Sequence, residues 1–160
     1  MGIVFKNSNQ IALAIKGKRP LLEAAIVRAL YDIGVRCVNQ ALKATEGIWI
    51  SDLMGEYKNR TGNLRSSVGF VIAKNGGMIE YYGFTPPEGF TMTADVGAET
   101  GFSLAREVSS TMSNGYSLVV VAGMQYAAAV ESKNFDVLTS AQYLMDKELP
   151  IMLKKVTETI

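Results

Sequence analysis

The apolar residues of this chain change their spacing at Thr61-Gly62, and that change decides what the chain can fold into. Before it, Leu22, Ile26, Ala29, Leu30, Ile33, Cys37, Ala41 and Ala44 recur at three- and four-residue steps, which marks one face of a helix over residues 20–44. After it, Leu64, Val68, Phe70 and Ile72 fall on alternate positions, which marks a strand. Pro20 suits the first helical position, where its missing N–H has no intrahelical partner, and Gly47 is the expected stop. Arg28, Asp32, Arg36 and Lys43 lie off the apolar stripe and read as a solvated face, with Asp32 pairing locally to its arginine neighbours.

Asn75-Gly76 closes the alternating run. This dipeptide readily takes the positive φ angles of a tight type I′ turn, so residues 78–84 are expected to return antiparallel. Residues 85–116 form a long excursion rich in Gly, Pro and Ser, with one short helix signalled by Phe102, Ala105, Val108 and Met112. Residues 118–122 are continuously apolar and β-branched, as expected of a strand buried on both faces of the same sheet. Leu138, Ala141, Met145, Leu149, Met152, Val156 and Ile160 then restore helical spacing, with Asp136 available as a cap. Pro150 predicts a kink there, or two abutting helices meeting near Glu148. The class is α+β. A small antiparallel sheet carries a long N-terminal helix and a C-terminal helix on one face, in a single domain over residues 1–160 with an N-terminal segment at 1–19.

Composition removes much chemistry. Among 160 residues there is no histidine and one cysteine, so imidazole catalysis, His-ligated metal, an internal disulfide and multi-cysteine zinc sites are all excluded. No phosphate-cradling or nucleophile-elbow pattern occurs, and Cys37 sits on the apolar stripe, where a thiol acts as a small core hydrophobe. Asp52 with Glu56, and Asp146 with Glu148, read as solvated carboxylates rather than an acid/base pair. Tyr81, Tyr82 and Phe84 could stack bases, but the basic and glycine pattern of such platforms is missing. Sixteen basic against 15 acidic residues argue against bulk attraction to DNA. The apolar run at 11–15 is too short for a membrane span or a signal-peptide core, so a chain made in the cytosol without a membrane anchor is expected. No catalytic, cofactor-binding or metal-ligating residue is expected.

The most specific stretch is residues 57–68, Tyr-Lys-Asn-Arg-Thr-Gly-Asn-Leu-Arg-Ser-Ser-Val. Thr61-Gly62 supplies a turn into the strand; Leu64 and Val68 point to one side, and Arg65 with Ser67 to the other, leaving a polar edge. This stretch resembles the T-G-x-L-R-x-S-[IV] motif of the head-to-tail joining, or tail-completion, proteins of tailed bacteriophages and prophages. Order of elements is similar as well: a long helix before the motif, a hairpin after it, then a strand leading to Y-A-x-x-[VL]-E ahead of a C-terminal helix. That last segment resembles Tyr126-Ala127-Ala128-Ala129-Val130-Glu131 here, and the likeness spans residues 21–155. Two departures stand out: Ser132-Lys133-Asn134-Phe135 replaces a Gly-Thr step, and the 85–116 excursion is longer than expected.

The resemblance implies a structural virion protein, made in the bacterial host cytoplasm, that forms a homo-oligomeric ring at the neck or tail top. Its implied neighbours are the connector or adaptor proteins of the neck and the tail-tube protein. DNA would pass through such a ring without sequence-specific binding. A ring needs two different complementary patches on each subunit. Arg60, Thr61, Gly62, Leu64, Arg65, Ser67, Tyr126 and Glu131 are the expected interface residues, with Arg60, Arg65 and Ser67 meeting an acidic group such as a neighbour's Glu131. The excursion, with Phe84, Phe90 and Phe102, is expected to order on assembly. The alternative from the residues alone is a small α+β ligand-binding domain or enzyme using carboxylates and tyrosines between hairpin and excursion.

Overall fold

The computed structural model describes residues 8–50, 62–88, 95–132 and 136–159. Asp52, Gly55, Glu56, Arg60, Thr61 and Phe90 lie outside these. The architecture is α+β, as the change of period predicts, with a three-stranded antiparallel sheet in the order β2-β1-β3.

Helix α1 spans Ser8–Ile50, 43 residues, or about 65 Å at 1.5 Å per residue. It neither begins at Pro20 nor stops at Gly47; both lie inside it. Pro20 breaks one i→i−4 bond, a cost of about 3 kcal/mol in a helix interior. Residues 16–21 are all exposed, so water can satisfy the freed carbonyl of Lys16. Further along, Ala29, Leu30, Ile33, Cys37, Val38 and Ala41 are buried as the apolar stripe requires. A Cβ on Gly34 would come within 2.7 Å of the Phe70 ring, so this glycine is what lets the sheet's largest core side chain press against the helix.

Strand β1 (Val68–Lys74) occupies the centre of the sheet and strand β2 (Gly77–Gly83) one edge. Asn75 (φ 53°) and Gly76 (φ 80°) turn the chain between them, both in the left-handed region that the dipeptide promises. The Asn75 side chain accepts a 2.9 Å hydrogen bond from the Gly115 N–H, which fastens the turn to the start of β3. Within the hairpin Ile72 pairs with Glu80 but Ala73 pairs with Met78, so Ile79 is the extra residue of a β-bulge.

Strand β3 (Tyr116–Ala122) joins the other side of β1, antiparallel, from Val68↔Ala122 to Lys74↔Tyr116. Its expected burial on both faces holds instead for β1, which is central. In β3, an edge strand, Val119 and Val121 are buried while Leu118 and Val120 are half-buried.

The 85–116 excursion departs most from expectation. It contains a 16-residue helix, α3 (Asp95–Ser110), that covers the second face of the sheet through Phe102, Ala105 and Val108 against Val71, Val119 and Val121. The excursion is therefore part of the core, and the domain has three layers where two were foreseen.

A short helix α4 (Ala127–Ser132) leads to α5 (Thr139–Thr159), which packs with α1 over Phe70 and Ile72. The Cys37 thiol donates to the Ala141 carbonyl at 3.5 Å, and Arg36 is bonded to Glu148, so α5 runs back along α1. The predicted break at Pro150 does not divide it: α5 is one helix, and both Pro150 and Asp146, whose carbonyl loses its partner, are exposed to water.

Candidate functional site

The stretch from Gly62 to Val68 is a different object from the strand that its alternation suggests. Gly62 stands at φ 69°, a left-handed conformation that favours glycine, and starts a single helical turn, α2 (Asn63–Ser66). Leu64 and Val68 are four apart, a separation that places residues on one face in either period, so spacing alone could not separate turn from strand. The Ser66 N–H donates to the Gly62 carbonyl at 3.0 Å and the Ser67 N–H to the Asn63 carbonyl at 3.0 Å. Both serine hydroxyls turn back onto the same turn, Ser66 Oγ to the Asn63 carbonyl at 3.1 Å and Ser67 Oγ to the Leu64 carbonyl at 2.8 Å. That internal bonding is what permits both to be fully buried.

Three glycines close around this turn. A Cβ on Gly97 would lie 2.2 Å from the Asn63 carbonyl oxygen, and one on Gly101 would lie 2.3 Å from that of Ser67. Gly123 donates its N–H to the Ser67 carbonyl at 3.2 Å, while the Asn63 side chain accepts from the Gly97 N–H at 3.2 Å. The glycines that make the excursion look like loop are the contact residues of α3 with the motif.

The two segments that carry the phage resemblance meet here. Leu64 is buried against Ala127, Val130 and Val137, with Tyr126 packed beside them. Glu131 is bonded within the chain. Its Oε1 accepts the N–H groups of Leu138 at 3.2 Å and Thr139 at 2.8 Å, together with the Thr139 hydroxyl, and so caps α5. Asp136 accepts the Ser140 N–H at 3.1 Å, as its position foretells. Burial alone would raise the Glu131 pKa, but the Thr139 hydroxyl and the backbone N–H groups of Leu138, Thr139 and Val137 outweigh it and hold the carboxyl below its ordinary range.

These placements locate the expected interface residues within the chain. Gly62, Leu64 and Ser67 are buried inside the chain, Arg65, Tyr126 and Glu131 are half-buried, with Glu131 engaged in a cap, and Arg60 and Thr61 lie outside the described residues. Ser67, expected on a polar edge beside Arg65, faces inward, because the chain is helical there.

The exposed large apolar residues that cluster on one element lie on β2. Met78 (45% exposed), Ile79 (44%), Tyr81 (52%) and Tyr82 (38%) project from an edge strand whose outer side pairs with no other strand among the described residues. Tyr82 leans inward onto Phe70 and Tyr31, at centroid distances of 5.9 Å and 6.1 Å, and Tyr81 rests 4.9 Å from Phe102 of α3. Sequence reasoning weighed these tyrosines only as a base platform. The signal it passed over was the apolar content of a strand with one charged residue, Glu80.

Two of the larger grooves adjoin α1. One, of about 660 Å³ between α1 and α5, has an apolar floor including Leu21, Ala25 and Met152, and a rim of Arg28, Arg36, Lys147 and Lys155 against Asp32 and Glu148. The other, of about 670 Å³, lies between α1 and the bulge of β2, where Ala24, Val27, Tyr31, Ile79 and Tyr116 line it. At its rim Glu23 bridges Lys74 at 2.9 Å and Arg19 at 3.1 Å, and these cations, Lys74 foremost, lower the Glu23 pKa.

Among the described residues no three His, Cys, Asp or Glu side chains gather as metal ligands, and no helix is long and apolar enough to cross a membrane. Burial pushes the Cys37 thiol up to about 11, away from nucleophilic use. No family model matches the chain, and neither a curated protein nor a solved structure similar to it was found.

Proposed function

We propose that this chain is a structural subunit of a tailed phage or prophage, one that assembles as a ring at the neck or tail top and joins tail to head. The observation that carries the reading is the β2 edge. Four large apolar side chains stand exposed on a strand whose outer side pairs with no other strand among the described residues, and a monomeric protein normally blunts such an edge with charge, proline or cover. An assembling subunit keeps it for a neighbour. The meeting of the two motif segments at Leu64 supports the same reading, since residues distant in sequence and shared with the phage family lie in one buried knot. On this reading the motif specifies the fold, and the partner surfaces lie elsewhere, on β2 and beside α1.

The partners are further copies of the chain and the adjoining neck and tail-tube proteins, and the location is the virion. The test is mass spectrometry of gradient-purified particles from a strain carrying the gene. Peptides of this chain at a constant ratio of several copies per particle are expected; their absence from intact infectious particles overturns the reading.

A further inference from the structure

We propose that the outer edge of β3 receives the β2 strand of a second copy of this chain, paired parallel, so that one sheet runs on from subunit to subunit. The inference deepens the ring-subunit reading above and rests on it.

The ladder with β1 fixes which backbone groups of β3 are already used. Just beyond its two ends the Asn75 N–H donates to the Gly115 carbonyl at 2.9 Å and the Gly123 N–H to the Ser67 carbonyl at 3.2 Å. Bonded and non-bonded pairs alternate in an antiparallel ladder, and the register between these ends is unbroken, so Ser117, Val119 and Val121 turn their N–H and C=O groups to β1. Tyr116, Leu118, Val120 and Ala122 turn theirs outward, where no other strand lies among the described residues. Nothing in the strand blunts this edge: Tyr-Ser-Leu-Val-Val-Val-Ala holds no charge, no proline and no bulge. The edge is also recessed. Met112 beyond α3 and Leu138, Gln142 and Met145 of α5 wall a trench of about 330 Å³ whose floor includes Leu118 and Val120. Outward donors and acceptors along an apolar trench are the complement of an extended strand.

Length, shape and charge select β2 as that strand. It has seven residues, as β3 has, and it projects where β3 is sunk, with Met78, Ile79, Tyr81 and Tyr82 all exposed. Two trenches facing each other would bring wall against wall, whereas a projecting edge enters one. The trench lining holds no charged side chain, and β2 holds one, Glu80, which lies opposite Ile72 on the face of the sheet where the Gln142 amide can donate to it. The Phe84 N–H bonds the Val68 carbonyl at 2.9 Å, so Tyr82 and Glu80 bond to β1 and Tyr81 turns its backbone outward, with the bulge left behind at one end. Both β2 and β3 run antiparallel to β1 and hence in the same direction; the rotation that closes a ring of many copies does not reverse a strand, so the new pair is parallel. Projecting edge and trench are different surfaces, which makes the contact heterologous, as a ring requires.

Two full-length variants test this, Glu80→Cys on β2 and Gln142→Cys on the trench wall, both at exposed positions. The native Cys37 is buried and does not interfere. Mixed and treated with a short bis-maleimide, they should yield a cross-linked heterodimer. Val120→Pro in the Gln142→Cys chain removes an outward N–H and no bond to β1, so the urea midpoint should be nearly kept while the yield falls about tenfold, the effect of about one hydrogen bond. Direction is read from Tyr82→Cys, which should link to Ala122→Cys and not to Tyr116→Cys, about 20 Å away at the other end of β3. A mixed yield no higher than that of Gln142→Cys with Ser103→Cys, on the exposed side of α3, overturns the proposal. So does either variant cross-linking with itself as well as with the other, which marks β3–β3 or β2–β2 pairing, and so does a Tyr82→Cys link to Tyr116→Cys alone. The virion measurement is independent: chain present in particles without the cross-link removes the strand pairing alone, whereas cross-link without virion peptides removes the phage reading and leaves self-assembly.

Discussion

β1 and β2 are the two halves of one hairpin, seven residues each, and they live in opposite surroundings. β1 is buried from Val68 to Ala73, with Val68, Phe70 and Ile72 under α1 and α5 and Val71 under α3. β2 is exposed from Gly77 to Tyr82, although Met, Ile and two Tyr make it almost as apolar. Hydrophobic content therefore does not decide burial here; position in the sheet does. The central strand has its partners within the chain, and the edge strand carries apolar surface that the described residues leave exposed.

The comparison can be broken most severely at its buried half. Phe70→Ala removes the ring that α1 presses on at Gly34 and should cost about 3–5 kcal/mol, read as a lowered urea midpoint with an unchanged slope. Gly101→Ala forces a methyl against the Ser67 carbonyl oxygen; α3 must lift from the motif, at about 1–3 kcal/mol by the same measurement.

Glu131→Gln weakens the cap of α5 by about 1 kcal/mol at neutral pH. Because the folded carboxyl titrates below its ordinary value near 4.5, its contribution is present above that value and is lost as pH falls through the folded pKa. The gap in stability between wild type and Glu131→Gln should therefore narrow in acid, and a gap constant with pH would contradict the cap. Smallest in stability and sharpest in meaning is Ile79→Ser with Tyr81→Ser on β2. Folding should change by no more than about 0.5 kcal/mol for each, with melting temperature nearly kept, while incorporation into particles falls. Unimpaired incorporation would show that the exposed half of the hairpin serves no neighbour.

How far these features could be read in advance depended on whether one period dominated locally. The stripe from Leu22 to Ala41, the Asn75-Gly76 turn, β3 and the Asp136 cap were legible because each has a cue with one physical meaning. α3 was obscured by the residues that let it pack: Gly97 and Gly101 lower helix propensity, yet a Cβ on either would collide with the motif's backbone. Pro20 reads as a helix start and Pro150 as a kink or junction because sequence does not reveal that water reaches the carbonyls they orphan. At the candidate site, the alternation of residues 62–68 reads as strand, and side chains that look polar in a row, such as Ser66 and Ser67, are satisfied inward by their own helical turn. The exposure of β2 depends on which strand takes the centre of the sheet, and strand order is not written in any one segment.

A last consequence follows from the length of α1. It is braced near its middle by the sheet and by α5, and reaches beyond that support toward its N-terminus. Mechanically it is a lever on a fulcrum. A tilt of about 5° about the bracing point displaces each end by about 3 Å in opposite directions, given a half-length of about 32 Å. A load applied at the N-terminal end is thus conveyed to the Ile50 end, and in the proposed ring it would pass strain from subunit to subunit.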